Sequence, residues 1–365
     1  MITKEIVLDA LSNVEEPDLK KDLVTLNMIK DIEINGKNVS FSVILTTPAC
    51  PLKALIEKAC INAIIHYVDK DAIVNVKMTS NVTSKRSDEK KMLPYVKNIV
   101  AVASGKGGVG KSTVAVNLAV ALAKSGAKVG LVDADIYGPS APIMFGLQNE
   151  KIPVKQVNGQ PIMIPIERFG VKVLSIGFLV DQSTSVVWRG PMASRALQQL
   201  FSDADWGELD YMIIDLPPGT GDIHLTLVQS VPVTGAVIVS TPQEVALADA
   251  RKGIDMFQKP VINVPVLGIV ENMAYFVPAE LPDNKYFIFG KEGCKRLAEE
   301  LHIPFLGEIP LVQSIRQGGD DGKPEVLNEN SPSALAFIKL SERVAQEIAI
   351  VNSKHIHEKN TVSTN

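Results

Sequence analysis

Two lysines in one glycine-rich segment are the residues of this chain best placed to do chemistry. Lys106 and Lys111 lie in the segment 104–113, which reads SGKGGVGKST. Glycines let the backbone curl so that successive N–H groups point at phosphate oxygens, and a following helix adds its positive N-terminal end. In such a loop Lys111 reaches the β- and γ-phosphates and the Ser112 hydroxyl binds Mg²⁺. The segment therefore predicts a nucleoside triphosphate site.

An apolar run and a helix-like run flank this loop, at residues 99–103 and 114–124. Strand, glycine loop, Lys-Ser and helix in this order form the P-loop arrangement, whereas a plain glycine turn would not need so many specified positions. The residues that this arrangement predicts to bind the nucleotide are Gly105, Lys106, Gly107, Gly108, Val109, Gly110, Lys111, Ser112 and Thr113.

Three aspartates follow apolar runs that read as strands. Hydrolysis of a phosphate bond needs one carboxylate to orient a water and another to hold the hydration shell of Mg²⁺. Asp133 and Asp135 are offset by two residues, so both leave the strand end in one direction, and we predict Asp133 as a Mg²⁺ ligand and Asp135 as catalytic. Asp215 ends an apolar strand, the Walker B pattern, and is predicted to hold Mg²⁺. The following segment 219–221, Gly-Thr-Gly, is typical of a switch loop.

Two further segments carry weaker signals. Asn272 ends a late strand, and its amide can both donate to and accept from an adenine edge, so it is predicted to contact the nucleotide base. Trp188 and Arg189 are adjacent, and their chemistry fits either a partner contact or a stacked structural pair. Of the residues named so far, Lys111 and Asp135 are predicted to take part in catalysis.

Bulk properties narrow the class of protein. The chain has 365 residues, 46% of them hydrophobic, with a net charge of −4 and three cysteines. The absence of a basic excess argues against nucleic acid as a partner, and no apolar run approaches the length of a membrane-spanning helix. The N-terminus lacks the apolar core of a signal peptide, and the scattered cysteines argue against a disulfide framework. We expect a cytoplasmic protein.

The pattern divides the chain into two domains. Residues 1–80 predict a small α+β domain in the order αββαβ, with a hairpin at Asn35-Gly36, and the polar residues 81–97 predict a linker. Residues 98–351 alternate apolar strands with helices, which is typical of an α/β P-loop NTPase with a mostly parallel sheet flanked by helices. Residues 352–365 are polar and predict a disordered tail. The predicted strands of the large domain are 99–103, 128–133, 171–176, 211–215, 235–240 and 266–272.

The pairing of Lys106 with Lys111 resembles the deviant Walker A signature. The segments 133–140, 188–192, 215–222 and 270–273, which read DADIYGPS, WRGPM, DLPPGTGD and VENM, resemble the Mrp/ApbC family of iron–sulfur cluster carriers over about residues 97–345. The resemblance implies ATP, Mg²⁺-dependent hydrolysis and a homodimer in which Lys106 reaches the partner's nucleotide. It also implies apo iron–sulfur proteins and cluster assembly factors as partners. The N-terminal part, with Glu16-Pro17-Asp18 and LTTPACP at 45–51, resembles a metal–sulfur cluster assembly domain.

One departure from the family concerns the cluster ligands. The family carries a Cys-x-x-Cys after the Glu-Asn-Met segment, but residues 275–286 here read YFVPAELPDNKY. Glu280 and Asp283 have the right interval, yet carboxylates are hard ligands that suit iron–sulfur clusters poorly. Cys50 precedes a predicted helix, whose dipole would stabilise its thiolate, and is the tentative thiol ligand. Cys60 and Cys294 are predicted to be packing residues.

Three functions remain open from sequence. The first is an ATP-dependent iron–sulfur cluster carrier, with an ATPase scaffold that binds no cluster itself as its variant. The second is a positioning or partitioning ATPase of the same class, although residues 352–365 have neither an apolar stripe nor a strong basic run. The third is a nucleotide sensor without hydrolysis, against which Asp135 and Lys106 argue.

Overall fold

The protein consists of two compact units in a computed structural model that describes residues 2–84, 92–179, 190–278 and 280–362. The N-terminal unit comprises residues 1–85 together with 345–365, and the central unit comprises residues 86–344. No helix in the described ranges is both long and apolar enough to cross a membrane.

The N-terminal unit is a small α+β domain. Its sheet has the strand order β3-β4-β5, in which β3 and β4 are antiparallel and β4 and β5 are parallel. Gly36 supplies the positive φ of +63° in the β3–β4 turn, and β4 buries alternate apolar side chains, as the sequence predicts. The order αββαβ is found, with an additional short pair β1–β2. The elements are α1 (Lys4–Leu11), β1 (Glu15–Glu16), β2 (Lys21–Asp22), β3 (Ile29–Asn35), β4 (Asn38–Leu45), α2 (Lys53–Tyr67) and β5 (Ile73–Ser80).

The central unit is an eight-stranded sheet with the order β10-β11-β7-β12-β6-β13-β14-β15. Strand β10 is antiparallel to its neighbour and the other pairs are parallel. The elements are β6 (Val96–Ala103), α3 (Lys111–Lys124), β7 (Val129–Asp133), α4 (Ala141–Met144), β8 (Val154–Val157), β9 (Gln160–Met163), β10 (Ile166–Arg168), β11 (Val171–Ser175), α5 (Gly190–Ser202), β12 (Leu209–Asp215), α6 (Asp222–Ser230), β13 (Gly235–Ser240), α7 (Glu244–Gln258), β14 (Val266–Phe276), α8 (Gly293–Leu301), β15 (Phe305–Leu311) and α9 (Gln313–Asp320).

The predicted parallel strands are all present, which confirms the α/β fold class. Their residues are buried on both faces, as in the run Ile99–Ala103, so these strands are continuous apolar segments instead of alternating ones. The sequence did not predict the edge strands β10 and β15 or the hairpin β8–β9, whose β8 is exposed throughout. Strands β8 and β10 bury little apolar area, so they leave a weak pattern in the sequence. Strand β15 buries Leu306 and Ile309, but it has no continuous apolar run.

The final helix, α10 (Pro332–Val362), is longer than predicted. The sequence places its end near Val351, followed by a disordered tail, but the helix covers residues 352–362. Polar residues alone do not end a helix, and this stretch has neither Pro nor Gly. Asn352 is fully buried and its amide donates to Thr83 O, 3.0 Å away within the N-terminal unit. The bounds of the linker remain a prediction, since residues 85–91 lie outside the described ranges.

Candidate functional site

The P-loop connects β6 to α3 at the carboxyl edge of the sheet. Its curled path depends on glycine, because Gly108 and Gly110 have φ values of +82° and +80°. A Cβ on Gly105 would lie 2.2 Å from the backbone carbonyl carbon of Asp249 in α7, and one on Gly110 would lie 2.2 Å from Asn272 Nδ2. The loop therefore packs closely against α7 and Asn272. This packing fixes the backbone path in which consecutive N–H groups can line a phosphate site.

Lys111 begins α3 and is the cationic centre of the site. Its side chain is only 6% exposed, and Nζ donates to Asp215 Oδ1 at 2.6 Å. It also lies 3.5 Å from Asp135 Oδ2 and 3.3 Å from Ser112 Oγ. The structure thus brings Lys111, Ser112, Asp135 and Asp215 together, as the P-loop prediction requires.

The register of three adjacent parallel strands explains why polar groups meet here. Ser175 of β11 pairs with Asp133 of β7, and Asp133 pairs with Asp215 of β12, so the three residues form one row across the sheet. The Ala134 N–H also donates to Asp215 O at 2.9 Å, which fixes the loop after β7 to the end of β12. Because each strand ends at this row, its polar side chains come to lie together at the carboxyl edge.

Asp215 is the carboxylate best suited to a divalent cation. It is 1% exposed, Oδ1 accepts from Lys111, and Oδ2 is a buried atom with no hydrogen-bond partner among the described residues. Burial raises the pKa of Asp215, while the nearby charge of Lys111 lowers it. A buried acceptor oxygen beside the Ser112 hydroxyl matches the hard oxygen ligands that Mg²⁺ prefers, so these residues fit the ion.

Asp133 lies beside this pair but is already hydrogen-bonded on both oxygens. Oδ1 accepts from the Asp135 N–H at 3.2 Å, and Oδ2 accepts from the Ala141 N–H at 3.0 Å and from Ser175 Oγ at 2.8 Å. Burial and the charge of Asp215 raise the pKa of Asp133 to about 7. The side chain therefore anchors the loop between β7 and α4, and its contact with Mg²⁺ remains a prediction.

Asp135 belongs to the loop that Asp133 anchors. Its Oδ2 faces Lys111, and its Oδ1 accepts from the Tyr137 N–H at 3.3 Å. Asp135 is 8% exposed whereas the Tyr137 side chain is 70% exposed, so the loop turns from the site to the surface within two residues. This places a carboxylate next to the phosphate-binding lysine.

Asn272 reaches the site from β14. Its Nδ2 donates to Val109 O at 2.8 Å, and the residue is 5% exposed. The amide nitrogen is thus engaged with the back of the P-loop, where it supports the backbone between Val109 and Gly110. The predicted contact with adenine remains a prediction.

Lys106 differs from Lys111 in its surroundings. It is half-buried, and its backbone carbonyl accepts from Ser104 Oγ at 2.9 Å. Its ammonium forms no ion pair with a residue in the described parts of the chain. Lys106 therefore differs from Lys111, which is paired with two carboxylates of the site.

Comparison with known proteins matches the central part of the chain to a family of P-loop NTPases. A family model described as "NUBPL iron-transfer P-loop NTPase" matches residues 95–345. The chain belongs to this family of P-loop NTPases. A second model, described as "Iron-sulfur cluster assembly protein", matches residues 4–78.

The similarity to individual relatives covers nearly the whole chain. "Iron-sulfur cluster carrier protein" of Synechocystis sp. is 48% identical over 354 residues, covering 96% of this chain and 99% of the relative. The protein of the same name in Deinococcus radiodurans is 47% identical over 349 residues, covering 95% and 96%. A nucleotide-binding protein from Archaeoglobus fulgidus, solved in complex with ADP, is 40% identical with a TM-score of 0.58 and covers 69% of this chain and 97% of its own. The family supports nucleotide binding at the P-loop.

Two of the three cysteines of this NTPase, Cys50 and Cys60, belong to the N-terminal unit, and Cys294 belongs to the central unit. Cys60 in α2 and Cys294 in α8 are fully buried, and burial raises the pKa of the Cys60 thiol to about 12 and that of Cys294 still further above its usual range. Cys50 is half-buried and lies just before α2, which begins at Lys53. Within the described ranges, no group of three or more histidine, cysteine or acidic side chains could hold a metal ion.

The segment after Met273 has a structure of its own. Strand β14 continues to Phe276, whose N–H donates to Tyr286 O at 2.8 Å, and the Tyr286 N–H donates back to Phe276 O at 2.9 Å. The Lys285 ammonium lies 4.1 Å from the centre of the Tyr275 ring. Backbone pairing and ring contacts therefore hold this segment together without cysteines.

Some residues of the site were missed from sequence. Ser175 ends β11 and donates to Asp133 Oδ2, and His224 in α6 lies with Nε2 2.6 Å from Pro217 O. The position of Ser175 near the end of a predicted strand was its only signal, and His224 within a helix had none. Trp188 and Arg189, predicted as a contact or a stacked pair, lie outside the described residues.

Proposed function

We propose that this protein is a Mg²⁺-dependent ATPase that acts as a homodimer and carries iron–sulfur clusters to apo-proteins in the cytoplasm. The observation that supports hydrolysis is the meeting of Lys111 with Asp215 and Asp135 at the P-loop. The cargo is inferred from the relatives, which are named iron–sulfur cluster carrier proteins. Acceptor proteins and cluster assembly factors are the partners that this role implies.

In this proposal the nucleotide is held by the P-loop N–H groups and by Lys111, which neutralises β- and γ-phosphate oxygens. Ser112 and Asp215 would hold Mg²⁺. Asp133, which we also predict as a Mg²⁺ ligand, would hold the loop that carries Asp135 in place. The ion held by Ser112 and Asp215 would supply positive charge that offsets the negative charge developing during phosphoryl transfer.

Asp135 orients the water that attacks the γ-phosphate. It is close to Lys111 and lies in the loop after β7, which reaches the surface at Tyr137. Lys106 acts on the nucleotide of the partner subunit, in the manner of an arginine finger. The lack of an ion pair to Lys106 within the described residues supports this role, because the ammonium is not needed to stabilise its own chain.

Steady-state ATP hydrolysis with and without Mg²⁺ tests the nucleotide part. The Asp135→Asn variant keeps the size of the side chain but lacks the carboxylate charge, so we expect kcat to fall by about 100-fold or more while ADP affinity changes little. Asp255→Asn, on the outer part of α7 in an exposed pair with Lys259, is the control and should hydrolyse ATP as the wild type does. A wild type without Mg²⁺-dependent hydrolysis would contradict the proposal.

A second candidate function is an ATPase scaffold that binds no cluster itself. It is favoured by the absence of a metal-binding group within the described ranges and by the buried thiols of Cys60 and Cys294. Iron and sulfide content of anaerobically reconstituted protein separates the two. The carrier predicts that Cys50→Ser lowers the cluster content and Cys60→Ala does not, whereas a scaffold takes up no cluster in any variant.

A further inference from the structure

A buried histidine lies behind the segment that connects Asp215 to α6. His224 is 2% exposed, and its Nε2 lies 2.6 Å from Pro217 O. Because a carbonyl oxygen can only accept, Nε2 carries the hydrogen and donates a hydrogen bond to Pro217 O. The histidine thus fixes a backbone position two residues beyond the carboxylate that faces Lys111.

The segment after Asp215 is anchored to the P-loop strand at two other points. The Leu216 N–H donates to Val102 O at 3.1 Å, and the Gly219 N–H donates to Ser104 O at 2.9 Å. Between these anchors lie Pro217 and Pro218, which have no N–H to donate. The bond from His224 therefore fastens the stretch in which the backbone has no donor of its own.

This stretch lies against the phosphate-binding loop. A Cβ on Gly107 would be 3.9 Å from the ring of Pro218, which is van der Waals distance. The position of the Pro218 ring follows from that of the preceding Pro217 carbonyl, since the two residues share a peptide plane. A shift at Pro217 is consequently passed to the surface above Gly107.

Burial is the main influence on the protonation of His224 and lowers its pKa. The Lys111 charge acts in the same direction, while the hydrogen bond with Pro217 and the charge of Asp135 raise the pKa. A neutral ring has one N–H, which matches the single carbonyl that it faces. The hydrogen bond is therefore present without adding a second positive charge beside Lys111.

We propose that His224 is a positioning residue for ATP hydrolysis, an inference that rests on the proposed function. Its Nε2–H holds Pro217, which keeps the segment 215–219 against the P-loop in the geometry that hydrolysis requires. Loss of this bond leaves the phosphate-binding groups in place but loosens the segment that follows Asp215. The step affected is turnover instead of nucleotide binding.

Two polar substitutions separate this role from mere packing. The amide nitrogen of His224→Gln can occupy the place of Nε2, whereas the amide of His224→Asn is shorter and corresponds to the Nδ1 side of the ring. Ser230→Ala is the control on the same helix, because Ser230 Oγ bonds only locally to Leu227 O at 3.0 Å. It should behave as the wild type does.

ATP hydrolysis gives the first readout. We expect His224→Asn to lower kcat by about 10- to 100-fold with little change in KM, and His224→Gln to stay within about threefold of the wild type. Equal kcat in the Asn variant and the wild type would overturn the inference. So would a Gln variant as slow as the Asn variant.

Amide hydrogen exchange of the segment 216–221 in the full-length protein gives a second readout that needs no hydrolysis. The Gly219 amide should exchange about 5- to 10-fold faster in His224→Asn, the effect of one lost buried hydrogen bond, and at the wild-type rate in His224→Gln. Unchanged exchange in His224→Asn would overturn the inference. If the wild type hydrolyses no ATP, the proposed function fails, while exchange still decides the role of His224.

Discussion

The ammonium of Lys111 and the carboxylate of Asp215 form a buried ion pair, with Nζ 2.6 Å from Oδ1 and side-chain exposures of 6% and 1%. Both charges are removed from water, so each depends on a partner of opposite sign. In the proposed function a nucleotide with Mg²⁺ would supply both, because phosphate oxygens suit Lys111 and the cation suits Asp215. The pair would then link recognition of the anion to recognition of the metal.

The first prediction concerns this lysine. Lys111→Ala removes the charge that contacts the β- and γ-phosphates, and we expect ADP and ATP affinity to fall by about 100-fold or more in titration calorimetry. Lys128→Ala is the control, since its pair with Glu208 is exposed on both sides. Wild-type affinity in Lys111→Ala would contradict the site.

Lys106 gives a prediction about the dimer. Lys106→Ala should bind ATP as the wild type does but lose turnover, because its charge acts in the partner's site. Mixing this variant with Lys111→Ala, which is also inactive, creates dimers in which one site has its own Lys111 and the partner's Lys106. ATP hydrolysis should then recover to about a quarter of the wild-type rate in a random equal mixture. No recovery in mixtures shown to exchange subunits would argue for a role within one chain.

The close contact behind the P-loop leads to a stability prediction. Gly105→Ala places a Cβ 2.2 Å from the Asp249 carbonyl carbon, which is backbone and cannot move aside as a side chain can. We expect a loss of about 2–3 kcal/mol in the free energy of unfolding. Unfolding can be followed by tryptophan fluorescence, because Trp188 and Trp206 both belong to the central unit.

A glycine in the opposing helix provides the matched control. Gly253 lies inside α7, and a Cβ there would meet nothing within 4 Å. Gly253→Ala should therefore keep the stability or raise it by about 0.5–1 kcal/mol. Equal losses in both variants would mean that the contact with Asp249 is not the cause.

How much was predictable depends on whether a residue acts through a local pattern. The P-loop, Lys111 and Asp215 were predictable, because each stands at a fixed offset from an apolar strand. The anchoring role of Asp133 was not, since it requires Ser175, which joins it only through the register of β11 and β7. Strand register and order are set by packing across the sheet, which one strand's sequence does not encode.

Asn272 and the final helix show the same limit. The amide of Asn272 predicted a base contact, which stays a prediction, but its bond to Val109 O could not be predicted because Val109 is distant in sequence. The polar residues 352–365 predicted a disordered tail, yet the final helix continues to Val362 and Asn352 within it is buried. Both features depend on tertiary contacts, which local preference does not encode.

The buried ring of His224 predicts an effect of pH on stability. Burial holds its pKa below the ordinary value of 6.5, so as the pH falls the unfolded chain takes up a proton before the folded one does. The contribution of the neutral ring to the free energy of unfolding is complete above the unfolded pKa of 6.5 and is lost as the pH falls toward the lower folded pKa. The charge of Lys111 also lowers this folded pKa, and the charge of Asp135 and the hydrogen bond with Pro217 raise it.

The variant His224→Gln isolates this effect. Between about pH 7.5 and pH 5.5 the wild type should lose more unfolding free energy than His224→Gln does, with an upper limit of about 1.4 kcal/mol for one histidine. Other titrating groups cancel in the difference between the two proteins, which is measured by denaturant unfolding followed by tryptophan fluorescence. Parallel pH profiles would mean that the ring is accessible to a proton in the folded state.

Cluster delivery tests the central claim most directly. Wild-type protein is reconstituted anaerobically with iron and sulfide, mixed with an apo iron–sulfur enzyme and ATP with Mg²⁺, and the recovered activity of that enzyme is measured. We predict that the wild type restores the acceptor and that Lys111→Ala, loaded in the same way, restores it much more slowly. Equal transfer by both proteins would contradict a nucleotide-dependent carrier, and a wild type that holds no cluster would contradict a carrier altogether.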